Sequence, residues 1–364
     1  MKKSALLLGG VLPAVHLLRR IQGDTNNIHI IAQKNDAIVY SKYGTKYLYL
    51  NPEDCSSTIS TWIEKHKEQS NEWLIIPCSE FFIQYIGTFR DNGFDVFAPP
   101  SHALKIFYDK SALYTWLGSL DIEIAEFKNL NDKLEFSNKK RYIVKCAKAS
   151  EEFTAPFKTK IINSKSDLAL VQSLIPNQYW DYFVVQRMFN NNKSISYGGV
   201  WNSGNEIASV IVDQIRQYPQ GITSNIKQAS DAEDIEVIRK IISKIAENTL
   251  LHGFIELEFI KNESGLYPID FNPRLWGWSN FLFYNFPTLP SSIINEGILL
   301  LKSKHIKSWS NIWRDIPAII SSDIPLVSKL SLLSSLLTVS KKDFINLKDI
   351  KPEIKGTLQQ LKKG

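Results

Sequence analysis

The stretch GFIELEFIKNESGLYPIDFNPRLWGW, residues 253–278, decides how the chain is read. Two short runs, Phe254 to Lys261 and Leu266 to Phe271, alternate apolar and polar residues with the period of β-strands and flank a turn. If Glu263-Ser264-Gly265 is the loop, its glycine falls at the third position, where three-residue hairpin loops require a left-handed residue. That register sets Asn262 against Leu266, Glu258 opposite Asp270 and Glu256 opposite Asn272, and the acids and Asn272 share one face because strand side chains alternate. Opposed Cβ atoms would be ~5 Å apart, and like charges so placed weaken a sheet. The other face carries Ile255, Leu257, Phe259 and Phe271, and turning it to water would cost roughly 1.5 to 3 kcal/mol per large side chain. The register therefore holds, and either the acids face open water or a cation joins them.

Both readings have a chemical basis. Acids on strand surfaces are common and usually solvated. Carboxylates together with the amide oxygen of Asn272 are also a set of hard oxygen ligands suited to magnesium, which takes few protein ligands and completes its shell with water and phosphate oxygens. Pro273 then ends the strand, and Arg274 supplies a planar donor fork fit for phosphate.

Working outward, the 364-residue chain is long enough for two or three packed units. Its composition, 44% hydrophobic and 22% charged, is that of a globular protein, without a low-complexity tract or internal repeat. Cys55, Cys78 and Cys146 are an odd number set far apart, which fits reduced thiols in a cytoplasm better than disulfides or a zinc site. The start, MKKSALLLGGVLPAVHLLRR, has the lysines and apolar run of a signal peptide. Gly9-Gly10 and Pro13 break the run and Arg19-Arg20 close it, so it reads as strand, glycine turn and helix. No other segment reaches the ~18 apolar residues of a membrane span. Of the net charge of +6, residues 306 onward supply five, with ten Lys and Arg against five Asp and Glu. Without interleaved aromatics these read as solvated helix faces, and nucleic acid is not an expected partner.

Residues 4–100 alternate strands (SALLL, NIHIIAQ, KYLYL, WLIIPCS, FDVFAPP) with helices, one of them from Glu80 to Asn92, which predicts a parallel sheet covered by helices. Apolar residues from Ala112 to Leu120 recur at helical spacing and put Lys110 at a helix start, where the dipole opposes a cation and a negative partner is needed. The strand RYIVKCA sets Lys145 among β-branched and apolar residues, where an unpaired ammonium would be costly. On these residues alone, both lysines reaching solvent is an equal reading. YFVVQRMF and SYGGVW read as strands, NEIASVIVDQIRQYPQGITSN as a strand and a loop, and Asp231 to His252 as a helix with an acidic start.

Gly253, Glu258, Asp270 and the run Asn272-Pro273-Arg274 resemble the magnesium-binding signature of the ATP-grasp superfamily, in which an acid on one strand and an acid-x-Asn-Pro-Arg on the next hold metal bound to ATP. The resemblance, of the predicted carboxylate-amine ligase type, extends to about residue 305. It implies an α/β and α+β fold: a pre-ATP-grasp Rossmann-like parallel-sheet domain at 1–105, a two-lobed ATP-grasp domain with its small lobe at 106–175 and its large lobe at 176–305, and a helical, basic C-terminal extension at 306–364. It implies ATP and Mg2+ as cofactors, with Mn2+ as an alternative ion, and Glu258, Asp270 and Asn272 as metal ligands. Lys110, in YDKSAL, resembles the lysine that opens the central helix, and Lys145, in YIVKCA, the one below the phosphates. VVQRMF resembles the hinge between lobes, so Gln186 and the backbone of Arg187 and Phe189 would border adenine. IRQYPQGITS resembles a loop that would bring Arg216 to phosphate or the acid substrate, although a surface arginine reads equally well there. Catalytic roles would fall to Arg274 and Arg216. Three departures stand out: Asp270 replaces a commoner glutamate, AKASEEFTAPF after Lys145 lacks the glycines many relatives place over the phosphates, and Lys193 stands where many have a ribose-binding acid.

The resemblance implies that a carboxylate attacks the γ-phosphate of ATP and that an amine then attacks the acyl phosphate to give an amide, so that the partners are a small-molecule carboxylate and an amine. A kinase and a nucleotide-binding module without turnover are the alternatives. Trp276 and Trp278 could wall the acceptor pocket or lie in the core. The tail segment LVSKLSLLSSLLTVSKK is leucine-rich and followed by lysines. It reads as a helix packed on the body or on a second subunit in a homodimer, or as a weak membrane-surface contact.

Overall fold

The apolar run Ser4–Leu8 forms strand β1, and the Gly9-Gly10 turn leads into helix α1, Leu12–Ile21, with Pro13 in its first turn where no N–H is missed. The computed structural model describes residues 3–132, 141–147, 153–189, 193–219, 221–295, 302–343 and 348–361, with side chains in the last helix described to residue 356. In it β1 is the centre of a five-stranded parallel sheet with β2 (Ile28–Gln33), β3 (Thr45–Tyr49), β4 (Trp73–Pro77) and β5 (Asp95–Val96), ordered β3-β2-β1-β4-β5. Its strands are near-continuous apolar runs because α1 on one face and α2 (Cys55–His66) and α3 (Ile86–Asp91) on the other bury both sides.

Helices α4 (Ser101–Tyr108) and α5 (Lys110–Ser119) lead to a four-stranded antiparallel sheet, β6 (Phe127–Asn129), β7 (Arg141–Cys146), β8 (Thr159–Ile162) and β9 (Phe183–Met188), ordered β6-β9-β7-β8, with α6 (Lys165–Ser173) beside β8. This corrects the boundary expected at residue 175. β9 pairs with both β6 and β7, so the small-lobe sheet runs to Met188.

The third sheet has seven strands, ordered β14-β13-β10-β11-β12-β15-β16. They are β10 (Lys193–Asn202), β11 (Asn205–Gln217), β12 (Thr223–Gln228), β13 (Gly253–Asn262), β14 (Gly265–Asn272), β15 (Ser308–Asn311) and β16 (Lys341–Asp343). Residues 205–225, read as strand and loop, are instead the antiparallel pair β11 and β12. Helix α7 (Ala232–Asn248) is capped by the Asp231 carboxylate, which accepts the N–H groups of Glu233 and Asp234. Helices α8 (Ser279–Asn285) and α9 (Leu289–Asn295) follow the hairpin and share one core with the first domain.

Residues beyond 305 are not only helical, as expected, but extend the large sheet. β15 pairs with β12 and β16 pairs with β15, while α10 (Ile312–Ser321), α11 (Leu326–Ser335) and α12 (Lys351–Leu361) surround them. Near the end of the chain, Arg19 of α1 is held by Asp349 (3.0 Å) and Glu353 (2.8 Å), and the Ser41 hydroxyl donates to Asp349 (2.8 Å). On α11, Leu332 and Leu333 pack toward Ile312 and Ile319, while Leu326, Val327 and Leu330 are more than half exposed. Among the described residues no helix is long and apolar enough to cross a membrane.

Gly253, at the start of β13, has φ +90°, and a Cβ there would lie 2.4 Å from the Phe97 carbonyl oxygen, so only glycine lets the large sheet meet the first domain at this point. Replacing it by alanine adds left-handed strain to that collision. Gly253→Ala is expected to lose roughly 2–3 kcal/mol of stability in urea denaturation. An unchanged midpoint would show that the contact between the two units yields freely.

Candidate active site

The expected three-residue loop of the β13–β14 hairpin is in fact shorter by one. Asn262 pairs with Gly265, and its side-chain oxygen accepts the N–H groups of Ser264 (2.8 Å) and Gly265 (3.1 Å), tightening the turn. A bulge beyond Phe259 and Pro268 restores the lost step, so Glu258 still faces Asp270 and Glu256 faces Asn272. The extra residue is Ile269, whose carbonyl accepts the Tyr114 hydroxyl of α5 at 2.7 Å. Ile255, Leu257, Phe259 and Phe271 are buried on the opposite face.

Lys110 is the first residue of α5, whose N-cap Asp109 accepts the N–H groups of Ser111 and Ala112. The negative partner its position demands is Asp270, which its ammonium contacts directly. Burial opposes the Lys110 charge, but Asp270 and Glu80 outweigh it and raise its pKa. Burial likewise disfavours the Asp270 carboxylate, and Lys110, followed by Lys158 and Lys145, holds it down to about 2. Both groups are therefore ionised. Glu258 and Glu256 are pushed up, first by burial and then by the neighbouring acids, Asp270 for Glu258 and Glu258 for Glu256.

On the facing sheet, Lys145 of β7 donates to the Gln186 side-chain oxygen of β9 at 2.7 Å. The Arg187 N–H donates to the Glu126 carbonyl (2.9 Å), so it is engaged in the chain rather than open to a base, and Phe189 stacks on Tyr267 of β14 with ring centres 5.0 Å apart. Arg274 donates to Asn272 Oδ1 (2.9 Å) and to the Leu275 carbonyl (2.8 Å) and lies 3.7 Å from Glu80, while Asn272 Nδ2 donates to Glu256 (3.0 Å). Lys110, Lys145, Glu258, Asp270, Asn272 and Arg274 thus converge. Arg216 does not join them: its guanidinium grips the buried Asp315 at 2.6 and 2.7 Å, which corrects the expected approach to phosphate. Trp276 and Trp278 are each 1% exposed and pack against Gly198, where a Cβ would strike both rings; Trp276 also lines a cavity beside Arg274, whereas Trp278 lies in the core. Lys193 pairs with Asp213 (2.9 Å). The stretch 147–157 that lacks glycines lies partly outside the described residues.

Sequence reading missed Lys158, which precedes β8 and acts electrostatically on Glu258 and Asp270, and Glu80, which acts on Lys110. Neither belongs to a motif, and only the folding of separate segments brings them in.

Glu258, Asp270 and the Asn272 oxygen are oxygen donors on adjacent strands and fit a hard divalent ion. Among the described residues no three His, Cys, Asp or Glu side chains cluster as a metal site by themselves, so such an ion would rely on oxygens brought by a ligand.

A parallel-sheet domain joined to an antiparallel sheet and a largely antiparallel one, which meet around paired acids and lysines, is the ATP-grasp fold, and this chain has it. No protein-family model and no curated protein matches the sequence. Solved structures do. The biotin carboxylase domain of Hydrogenobacter thermophilus 2-oxoglutarate carboxylase, determined with MgADP, ADP and bicarbonate, superposes with a TM-score of 0.66 at 14% identity over 85% of this chain and 73% of that one. Biotin carboxylase of Campylobacter jejuni gives 0.64 at 14%, over 83% and 74%. An ADP complex of N5-carboxyaminoimidazole ribonucleotide synthetase gives 0.66 at 10%, over 92% of this chain and 96% of that one. At these identities the likeness establishes the fold.

Burial, followed by the Lys110 charge, pushes Lys145 from an ordinary 10.5 down to about 8. Between those values the unfolded chain keeps a proton that the folded chain has lost, so this group makes stability rise as pH increases from about 8 to 10.5. Lys145→Met should remove that rise, about 1–3 kcal/mol, in urea denaturation compared with the wild type. Polyphosphate oxygens would draw the proton back. ATP binding at pH 9 should therefore take up a proton, read by calorimetry in buffers of different ionisation enthalpy, and the uptake should vanish in Lys145→Met.

Proposed function

We propose that the protein is an ATP-dependent carboxylate–amine ligase that forms an amide through an acyl phosphate, releasing ADP and phosphate. The observation that carries this reading is the convergence of Lys110, Lys145, Glu258, Asp270 and Arg274 between two sheets of an ATP-grasp fold. That neighbouring structures were crystallised with ADP or MgADP supports the nucleotide.

In this reaction a substrate carboxylate oxygen attacks the γ-phosphorus. As the new O–P bond forms, the bond to the bridging oxygen breaks and its electron pair leaves with ADP. The amine nitrogen then attacks the acyl carbon, phosphate departs with the C–O electron pair, and the nitrogen releases a proton to solvent. Lys110 and Lys145 would orient the phosphate chain and offset its charge, and Arg274 would hold the transferring group or the acid beside it. Magnesium, when bound by Glu258, Asp270 and Asn272, supplies further charge compensation at the phosphate oxygens. Gln186, whose side-chain oxygen accepts from Lys145, would hold that ammonium in place. No protein nucleophile is required. The small-lobe sheet and the large sheet enclose the acyl phosphate and limit its hydrolysis.

The test is ADP release in the presence of magnesium over pooled carboxylates and amines, with hydroxylamine added to trap an acyl phosphate as hydroxamate. ADP and hydroxamate should appear together, and Asp270→Asn should reduce both by about 100-fold. AMP in place of ADP, or ADP without hydroxamate in every pool, would overturn the mechanism.

A further inference from the structure

The helices α10 and α11 are apolar on more of their surface than the fold covers. The buried carboxylate of Asp315, which accepts from Arg216 (2.6 and 2.7 Å), Asn225 (2.7 Å), Ser310 (2.9 Å) and Ser224 (3.1 Å), fixes how α10 is turned and sets Ile312 and Ile319 inward. A second stripe of the same helix, Trp313, Ile316 and Ile320 at positions i, i+3 and i+7, is left exposed. On α11, Leu332 and Leu333 pack inward, whereas Leu326 is 71% exposed, Val327 79% and Leu337, in the turn that follows, 80%. Single exposed apolar residues need no explanation, but two stripes on one pair of packed helices mark a surface that meets something.

The charges around these stripes have one sign. Among the described residues from 302 to 342, the charged side chains that are not buried are Lys302, Lys304, Lys307, Lys329, Lys341 and Lys342 against a single acid, Asp323. Two of the lysines are placed among the apolar residues themselves: Lys329 donates to the Ile320 carbonyl (2.8 Å) and Lys342 to the Leu337 carbonyl (3.1 Å). Lys307 and Lys341 adjoin Ser308 and Ser340, whose hydroxyls lie 3.2 Å apart at the common start of the parallel strands β15 and β16. The hydroxyls between the leucines are turned back on their own helix, Ser334 donating to the Ser331 carbonyl (2.7 Å) and Ser335 to the Leu332 carbonyl (2.6 Å). The face therefore presents apolar carbon and ammonium groups, with little directional hydrogen bonding.

We propose that α10 and α11 dock the protein on the surface of an anionic phospholipid bilayer. The exposed apolar side chains enter the boundary between headgroups and acyl chains, Trp313 among them, and the lysines pair with acidic headgroups. A second copy of the chain is the poorer occupant: a twofold contact through this face sets the same lysines against one another, with only Asp323 to answer them. The inference goes beyond the ligase reading and does not depend on it.

The test is cosedimentation of the full chain with phosphatidylcholine vesicles made with and without phosphatidylglycerol. The vesicles containing phosphatidylglycerol should bind at least about 10-fold more protein, and raised salt should release it. Leu326→Glu with Leu337→Glu should lower that binding by about 10-fold or more while leaving the binding of an ATP analogue unchanged. Lys307→Gln with Lys342→Gln should lower it by about 10-fold, and this pair answers the question if the glutamate pair does not fold. Lys65→Gln with Lys67→Gln, which takes the same charge from α2, should have no effect. Absence of binding, equal binding to both kinds of vesicle, binding that survives in both tail variants, or an equal loss in the α2 variant overturns the proposal. A dimer seen by light scattering that the leucine substitutions dissociate would assign the face to a second copy and overturn it as well. Failure of the ATP analogue to bind the unaltered chain would remove the ligase reading and leave this inference standing.

Discussion

The contact between Lys110 and Asp270 is the constraint on which the rest of the site depends. A lysine at the first position of a helix works against the helix dipole, and an aspartate facing a glutamate across a hairpin works against its neighbour. Each defect is the remedy for the other. A buried ion pair of this kind contributes little net stability once desolvation is counted, but losing one partner strands the other charge. Its consequence is therefore positional: it ties the start of α5 to β14, and with the Tyr114 bond to the bulged Ile269 it holds the acidic hairpin at one distance from Lys145. The puzzle of three acids on one sheet face is thus partly resolved within the protein. Lys110 neutralises Asp270, and burial biases Glu256 toward its neutral form.

Much of this was legible because the relevant patterns are local. The alternation in residues 253–272 located the hairpin and its core face, and the need for an anion near Lys110 followed from its place at a helix start. The pairing of Glu258 with Asp270 was reached through a loop one residue too long, and the register agreed only because a bulge compensates for it. Turn length and bulge are set by particular hydrogen bonds, from Asn262 to its own turn and from Tyr114 to Ile269, and the second joins residues 155 positions apart. No periodicity encodes such a bond.

What the sequence did not disclose is whatever depends on segments meeting from far along the chain. Arg216 looked like a candidate for phosphate because its loop resembled a known one, yet its partner, Asp315, lies 99 residues later in a stretch with no motif. Lys158 and Glu80 carry charge into the cleft without any local signature. The tail looked helical because its leucines recur, whereas the short strands Ser308–Asn311 and Lys341–Asp343 are legible only as additions to an existing sheet edge. Gln186 and Phe189 were noticed for a hinge, and the structure engages both: one receives Lys145 and the other stacks on Tyr267.

These long-range contacts share a direction. The segment after residue 305 adds strands to the large sheet, fixes α10 through Asp315, and then crosses back so that Asp349 and Glu353 grip Arg19 of the first domain. The cavity beside Arg274 is therefore walled by the first domain, the residues that follow the hairpin and the extension at once, while the residues that would face phosphates come from α5, the hairpin and the small lobe. Two parts of one site consequently answer to different constraints. Residues that would handle phosphate must meet across the cleft between two sheets. Residues that line the cavity come largely from the first domain and the extension, which Arg19 ties together through Asp349 and Glu353, whereas Lys110, Asp270 and Lys145 are placed by α5, the hairpin and the small-lobe sheet.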